Sequence, residues 1–183
     1  MTALDHVRCM AYLLHSNQKR KFSELPYSIH LQEVADLVEE FNGSEEQIAA
    51  AYCHDIVEDT HIKVIPLTSF FSKYGFNYAG GLVEELTDKY TKEKYAILNR
   101  YERKLLEHDR LSKISDKAKL IKLADVISNV QTLDKCADGF AKIMLNEMHH
   151  LIPLIKIDNP IYAKATNEFN SMCTVVGSRL NLF

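Results

Sequence analysis

Apolar residues recur along this chain at spacings of three and four, and no stretch keeps the strict alternation of a half-buried strand between hairpin turns. That period commits the backbone to helices, because only a helix brings such residues onto one face. The expected fold class is therefore all-α, a compact helical bundle with short connections. With 183 residues, 46% of them apolar, one core closes without a second domain, and no repeat or Pro/Gly/Ser-rich linker marks a boundary.

The punctuation divides the pattern. A first helix is expected over Leu4 to Ser16 and a second over Ile29 to Phe41, stopped by Asn42 and Gly43. Ser44 and Gln47 have the spacing of a capping box and open a third helix, expected to run on through "AAAYCHDIVEDT". After a loop holding Pro66, short helices follow in "LTSFFSKYG" and "LVEELT". Others are expected over Lys92 to His108, over Asp116 to Asp134, and from Phe140 to the C-terminus.

The stretch from Ala49 to Thr60 sets four ionisable groups, His54, Asp55, Glu58 and Asp59, directly after an apolar run. On one continuous helix, 54 and 58 lie a turn apart, as do 55 and 59, so the four share one stripe. Carboxylates so crowded repel one another and lose hydration unless a cation or protons compensate. The competing reading is a satisfied core histidine followed by a solvated helix end. The chain carries its own control, since His108-Asp109 occurs in "LLEHDRLSK" with no acidic pair after it.

Other residues favour the cation. His30 lies near the start of the second helix beside Ile29 and Val34. Asp125 sits among Leu120, Leu123, Ile127 and Val130, where an unpaired aspartate is costly, with Asn129 and Thr132 on its polar face. His30, His54, Asp55 and Asp125 make a two-imidazole, two-carboxylate set from three helices. Nitrogen and oxygen donors without thiolate suit a six-coordinate Mn²⁺, our expectation, or Fe²⁺ or another divalent ion, better than a closed zinc site. Such an ion polarises a phosphoryl oxygen and lowers the pKa of bound water, which is equipment for phosphoester hydrolysis.

A net charge of -3 gives no global basic field for nucleic acid, so an anionic ligand must be met by local cations. The four cysteines are widely spaced, as expected of reduced thiols. Asp5, His6 and Arg8 fall where a signal peptide would need its apolar core, and no apolar run approaches the roughly 20 residues of a membrane span. A soluble cytoplasmic protein without a membrane partner is expected; the oligomeric state is not legible.

The order His…His-Asp…Asp resembles the HD-domain metal-dependent phosphohydrolases. The segments "HSNQKRKFSELPYSIH", "AAAYCHDIVEDT", "YGFNYAGGLVEELTD" and "AKLIKLADVISNVQTL" resemble successive motifs of the RelA/SpoT hydrolase domain, closest to the stand-alone small alarmone hydrolases of the metazoan SpoT homologue type. The motif core spans about residues 11 to 133, within one domain of residues 1 to 183 whose C-terminal helices cover 140 to 183; the chain leaves no room for the synthetase and regulatory domains of the long members. The resemblance implies Mn²⁺ on His30, His54, Asp55 and Asp125. It implies Glu58 and Asp59 as the residues that orient or deprotonate the attacking water. The implied reaction is release of pyrophosphate from the 3′ position of guanosine tetra- or pentaphosphate. For substrate binding it implies Arg20, Lys21, Tyr27, Asn129 and Thr132, with Arg100 as a further phosphate cation. The departures are Leu31 where the family often has proline, Val126 and Gln131 where it has basic residues, and a longer segment from Lys89 to Lys94.

Two rival readings stand beside this one: a phosphatase of another ribose-phosphorylated nucleotide such as NADPH, and a nucleotide-binding module without catalysis. His149-His150 is not a second site, because adjacent helical positions point about 100° apart. Cys53 reads as a packed thiol. The run "KEKYAILNRYERKLLEHDR", with Glu102/Leu106 and Arg103/Glu107 at helical spacing, reads as a solvated face.

Overall fold

The computed structural model describes residues 1–179, and among them the architecture is all-α. The helices are α1 (Ala3–Leu14), α2 (Ser28–Glu40), α3 (Glu45–Tyr52), α4 (Ile56–Asp59), α5 (Val64–Lys73), α6 (Ala79–Leu86), α7 (Arg100–Ser112), α8 (Asp116–Val130), α9 (Asp138–Leu151) and α10 (Pro160–Arg179). The last four residues of the expected C-terminal helical region, 180–183, lie outside the described residues.

Several starts are written in the sequence. Thr2 with Asp5, Ser44 with Gln47 and Asn99 with Glu102 each form a reciprocal capping box that satisfies two otherwise orphaned backbone donors. α8 is the axis of the bundle. Ala118, Leu120, Ile121, Leu123, Ala124, Val126, Ile127 and Val130 are all buried, and α2, α3, α6 and α10 pack around it. Gly80 lets α6 lie against α5: a Cβ there would stand 2.3 Å from Thr68 Oγ1.

Several expectations are corrected. The third helix does not run through the His-Asp stretch: α3 ends at Tyr52, Cys53 caps it, His54 and Asp55 form a turn, and α4 is a separate single turn. The cause is local, since His54 Nδ1 lies 2.7 Å from the Ala51 carbonyl and takes a helix-end acceptor with its own ring. The four groups therefore do not form one stripe on one helix. Pro66 is not in a loop but in the first turn of α5, where its missing N–H would have had no partner. The helix expected from Lys92 begins only at Arg100, and its supposedly solvated face buries Glu107 and His108. At the other end of α8, Gln131 caps the helix and Leu133–Lys135 form a 3₁₀ turn, so Thr132 lies just beyond the helix.

The segment between α1 and α2 is closed by a single antiparallel bridge between Lys19 and Pro26. Within it Arg20 is tied to Ser128 in the C-terminal half of α8, Lys21 lies over Phe140 of α9, and Tyr27 directly precedes α2.

Candidate functional site

His30 enters from the first turn of α2, His54 and Asp55 from the turn after α3, and Asp125 from α8. The hydrogen bonds fix both ring tautomers. Ser128 gives its hydroxyl proton to Glu33 Oε2 at 2.6 Å, so His30 Nδ1, 2.8 Å from Ser128 Oγ, must be the N–H that donates to it. His54 Nδ1 faces a carbonyl, which can only accept. Each neutral ring is left with a lone pair on Nε2.

Those lone pairs converge on carboxylate oxygens. His30 Nε2 lies 3.5 Å from Asp55 Oδ2 and 3.3 Å from Asp125 Oδ1; the distances from His54 Nε2 are 3.0 and 3.7 Å. His54 Nε2 is buried and has no hydrogen-bond partner. The donor atoms of His30, His54 and Asp55 all lie within 4.8 Å of one another, and Asp125 Oδ1 closes the set from α8. Four acceptors facing one another require positive charge between them. Burial disfavours charge on His54, but the negative charges of Asp55 and Asp125 outweigh that and hold its pKa well above the ordinary value. Burial likewise opposes ionisation of the two aspartates, and is overcome for Asp55 mainly by His54 and for Asp125 mainly by Lys122, so both lie well below the usual range. A divalent cation fits the same donors, with their tautomers already set.

The neighbours orient these donors. Tyr27 donates its hydroxyl to Asp55 Oδ2 at 2.6 Å, and burial and Asp55 keep that phenol protonated far beyond its usual range. Asp125 accepts from Lys122 Nζ at 2.8 Å and from Asn129 Nδ2 at 2.6 Å.

Glu58 and Asp59 fall on different sides of the cluster. Asp59 lines a cleft of about 550 Å³ together with Lys19, Arg20, Lys21, Tyr27, Arg100, Asn129, Thr132, Phe140 and Met144. Glu58 lines a smaller polar pocket of about 130 Å³ with His54, Asp55, Asp88, Lys104, Lys122 and Asp125. Although Glu58 is exposed as a residue, the crowding around its carboxyl, with the charges of Asp88 and Asp55, pushes its pKa up to about 7. The same crowding and Asp55 raise Asp59.

The expected substrate contacts all reach the cleft, but not all are free. Arg20 is only 7% exposed and its guanidinium is bound to α8, donating to the Ser128 carbonyl at 2.9 Å and to Thr132 Oγ1 at 3.3 Å. This anchoring differs from a cation open for stacking on a purine. Lys21 Nζ lies 5.5 Å from the Phe140 ring centre, and Arg100 is paired with Glu147 at 2.6 Å. Of the departures, Leu31 and Val126 are buried, whereas Gln131 is exposed beside Arg20 and Lys21.

Sequence reasoning missed Ser128, Glu33, Lys122, Asp88 and Lys104. Lys122 carried a signal, its three-residue step to Asp125 on one helix; the others act on partners 16 or more residues away in sequence. His149 and His150 are exposed neighbours without a third ligand among the described residues, and Cys53 is buried, which raises its thiol pKa.

The profile of the HD domain family matches residues 8–146. The chain is 35% identical over 127 residues to a probable guanosine-3′,5′-bis(diphosphate) 3′-pyrophosphohydrolase of Synechocystis, covering 69% of this chain but only 16% of that longer protein. It is 36% identical over 132 residues to the Drosophila melanogaster guanosine-3′,5′-bis(diphosphate) 3′-pyrophosphohydrolase MESH1, covering 69% of this chain and 68% of that one. A solved structure of a metazoan ortholog of SpoT, described as hydrolysing ppGpp and playing a role in starvation responses, superposes with a TM-score of 0.78 at 25% identity, over 95% of each chain.

Proposed function

The chain belongs to the HD-domain family, and from that premise we propose that it is a single-domain, Mn²⁺-dependent guanosine 3′,5′-bis(diphosphate) 3′-pyrophosphohydrolase. The observation that carries the reading is the convergence of two imidazole lone pairs and two carboxylates between a polar pocket and a cationic cleft. His30, His54, Asp55 and Asp125 would hold the ion. When bound, it supplies Lewis acidity, polarising a phosphoryl oxygen and lowering the pKa of water beside it.

The remaining work falls to the chain. Lys19, Lys21 and Lys104 supply positive charge to the cleft for the phosphate chains, while Phe140 and Met144 offer an apolar wall for the base. Glu58, its pKa raised to about 7, is poised to take the proton from the attacking water. Asp59, on the cleft side, orients that water. The water oxygen bonds to the phosphorus carried by the ribose 3′ oxygen, the P–O3′ bond breaks, O3′ leaves and takes up a proton, and pyrophosphate departs. Tyr27, Lys122 and Asn129 hold the ligand carboxylates in place meanwhile.

No helix among the described residues is long and apolar enough to cross a membrane. Incubation with Mn²⁺ and the tetraphosphate should yield GDP and pyrophosphate, and chelation should stop the reaction. Orthophosphate from a different ribose-phosphorylated nucleotide, with the guanosine substrate left intact, would overturn the reading.

A further inference from the structure

We infer that the buried Glu107 and its half-buried partner Arg110 in α7 position Glu58, through the turn that follows α6. The inference rests on the hydrolase reading for its kinetic consequence. The Glu107 side chain is 2% exposed in a run of charged residues, and a buried carboxylate is unfavourable unless its oxygens are fully engaged. Here they are. Oε2 accepts from the backbone N–H of Lys89 at 2.9 Å and of Tyr90 at 3.0 Å, and Oε1 accepts from Arg110 Nε at 2.6 Å. Arg110 in turn donates Nη1 to the Glu85 carbonyl at 2.6 Å and Nη2 to the Thr87 carbonyl at 3.3 Å.

The backbone is thereby held on both sides of Asp88. Asp88 donates its own N–H to Glu58 Oε1 at 2.7 Å, the only hydrogen bond to that carboxylate among the described residues. Lys104 holds the Asp88 side chain at 2.9 Å. A plain connection between α6 and α7 needs no buried, ion-paired carboxylate; what this turn delivers is one aimed amide. Neither Glu107 nor Arg110 lines the cleft or the polar pocket, so their substitution removes no substrate contact.

Glu107→Gln keeps one acceptor oxygen and loses the ion pair. Assayed with Mn²⁺ and guanosine tetraphosphate, it should lower kcat about 10- to 100-fold, the scale of a misplaced catalytic group, with KM and Mn²⁺ affinity within about twofold of the parent. Amide hydrogen exchange at Asp88, Lys89 and Tyr90 should accelerate in step. Arg110→Lys, which keeps the charge but not the fork, should give a smaller change of the same kind and stands in if the first variant does not fold. Unchanged kcat despite faster exchange would overturn the inference, as would KM, metal affinity and kcat declining together. If the parent does not cleave this substrate, the hydrolase reading fails on its own. Exchange then decides the clamp: lost protection at Asp88 upholds it, and retained protection overturns it.

Discussion

Ser128 illustrates how a small side chain sets the chemistry of a larger one. Its single proton goes to Glu33, which obliges His30 to present Nδ1–H to it and a bare Nε2 to the site. Ser128→Ala should therefore fold normally yet weaken Mn²⁺ binding about 10- to 100-fold, measured by chelator competition, because the ring loses the acceptor that fixes its tautomer. Glu58→Gln should leave metal binding intact and lower kcat by about 10² to 10⁴, the contribution of a positioned base, measured by steady-state kinetics. His30, His54, Asp55 and Asp125 were legible because residue type and apolar context raise the same question wherever they occur. Ser128 and Glu33 were not, since their hydrogen bond spans 95 residues and leaves no local pattern.

At the scale of elements, capping chemistry is local and helical period is local, so the starts of α1, α2, α3 and α8 could be read directly. The break after Tyr52 could not, because it depends on the His54 ring turning back to the Ala51 carbonyl. α7 misled for the opposite reason: its charge density hides two buried groups. One of them, His108, is held neutral, with burial and then Lys104 lowering its pKa to about 4. The unfolded chain, with an ordinary histidine pKa near 6.5, binds that proton first as the pH falls, so stability declines from about pH 6.5 down to about pH 4. Urea denaturation at pH 7 and pH 4.5 should show His108→Gln losing less stability than the parent over that interval, by on the order of 2 kcal/mol. Equal losses in the two proteins would refute the assignment.

For the whole molecule, the all-α class followed from the period, and the superposition on a solved structure over 95% of each chain agrees with it. The cleft was less legible. It is assembled from the segment before α2, from α4, and from α7, α8 and α9, which no single window of sequence contains. The replaced basic positions separate on folding: Val126 is part of the core, while Gln131 is exposed in a small neighbouring pocket that shares Arg20, Lys21 and Thr132 with the cleft. Only the second bears on the charge beside the cleft. Restoring arginine there, Gln131→Arg, should lower KM for the guanosine tetraphosphate severalfold at low salt and by less at high salt, with kcat little changed.

The central claim is that two imidazoles and two carboxylates share one divalent ion. A manganese anomalous-difference map from crystals grown with Mn²⁺ tests it most directly. The account predicts one strong peak bounded by His30 Nε2, His54 Nε2, Asp55 and Asp125. Density elsewhere, or none there in a sample that still turns over substrate in excess chelator, would contradict it.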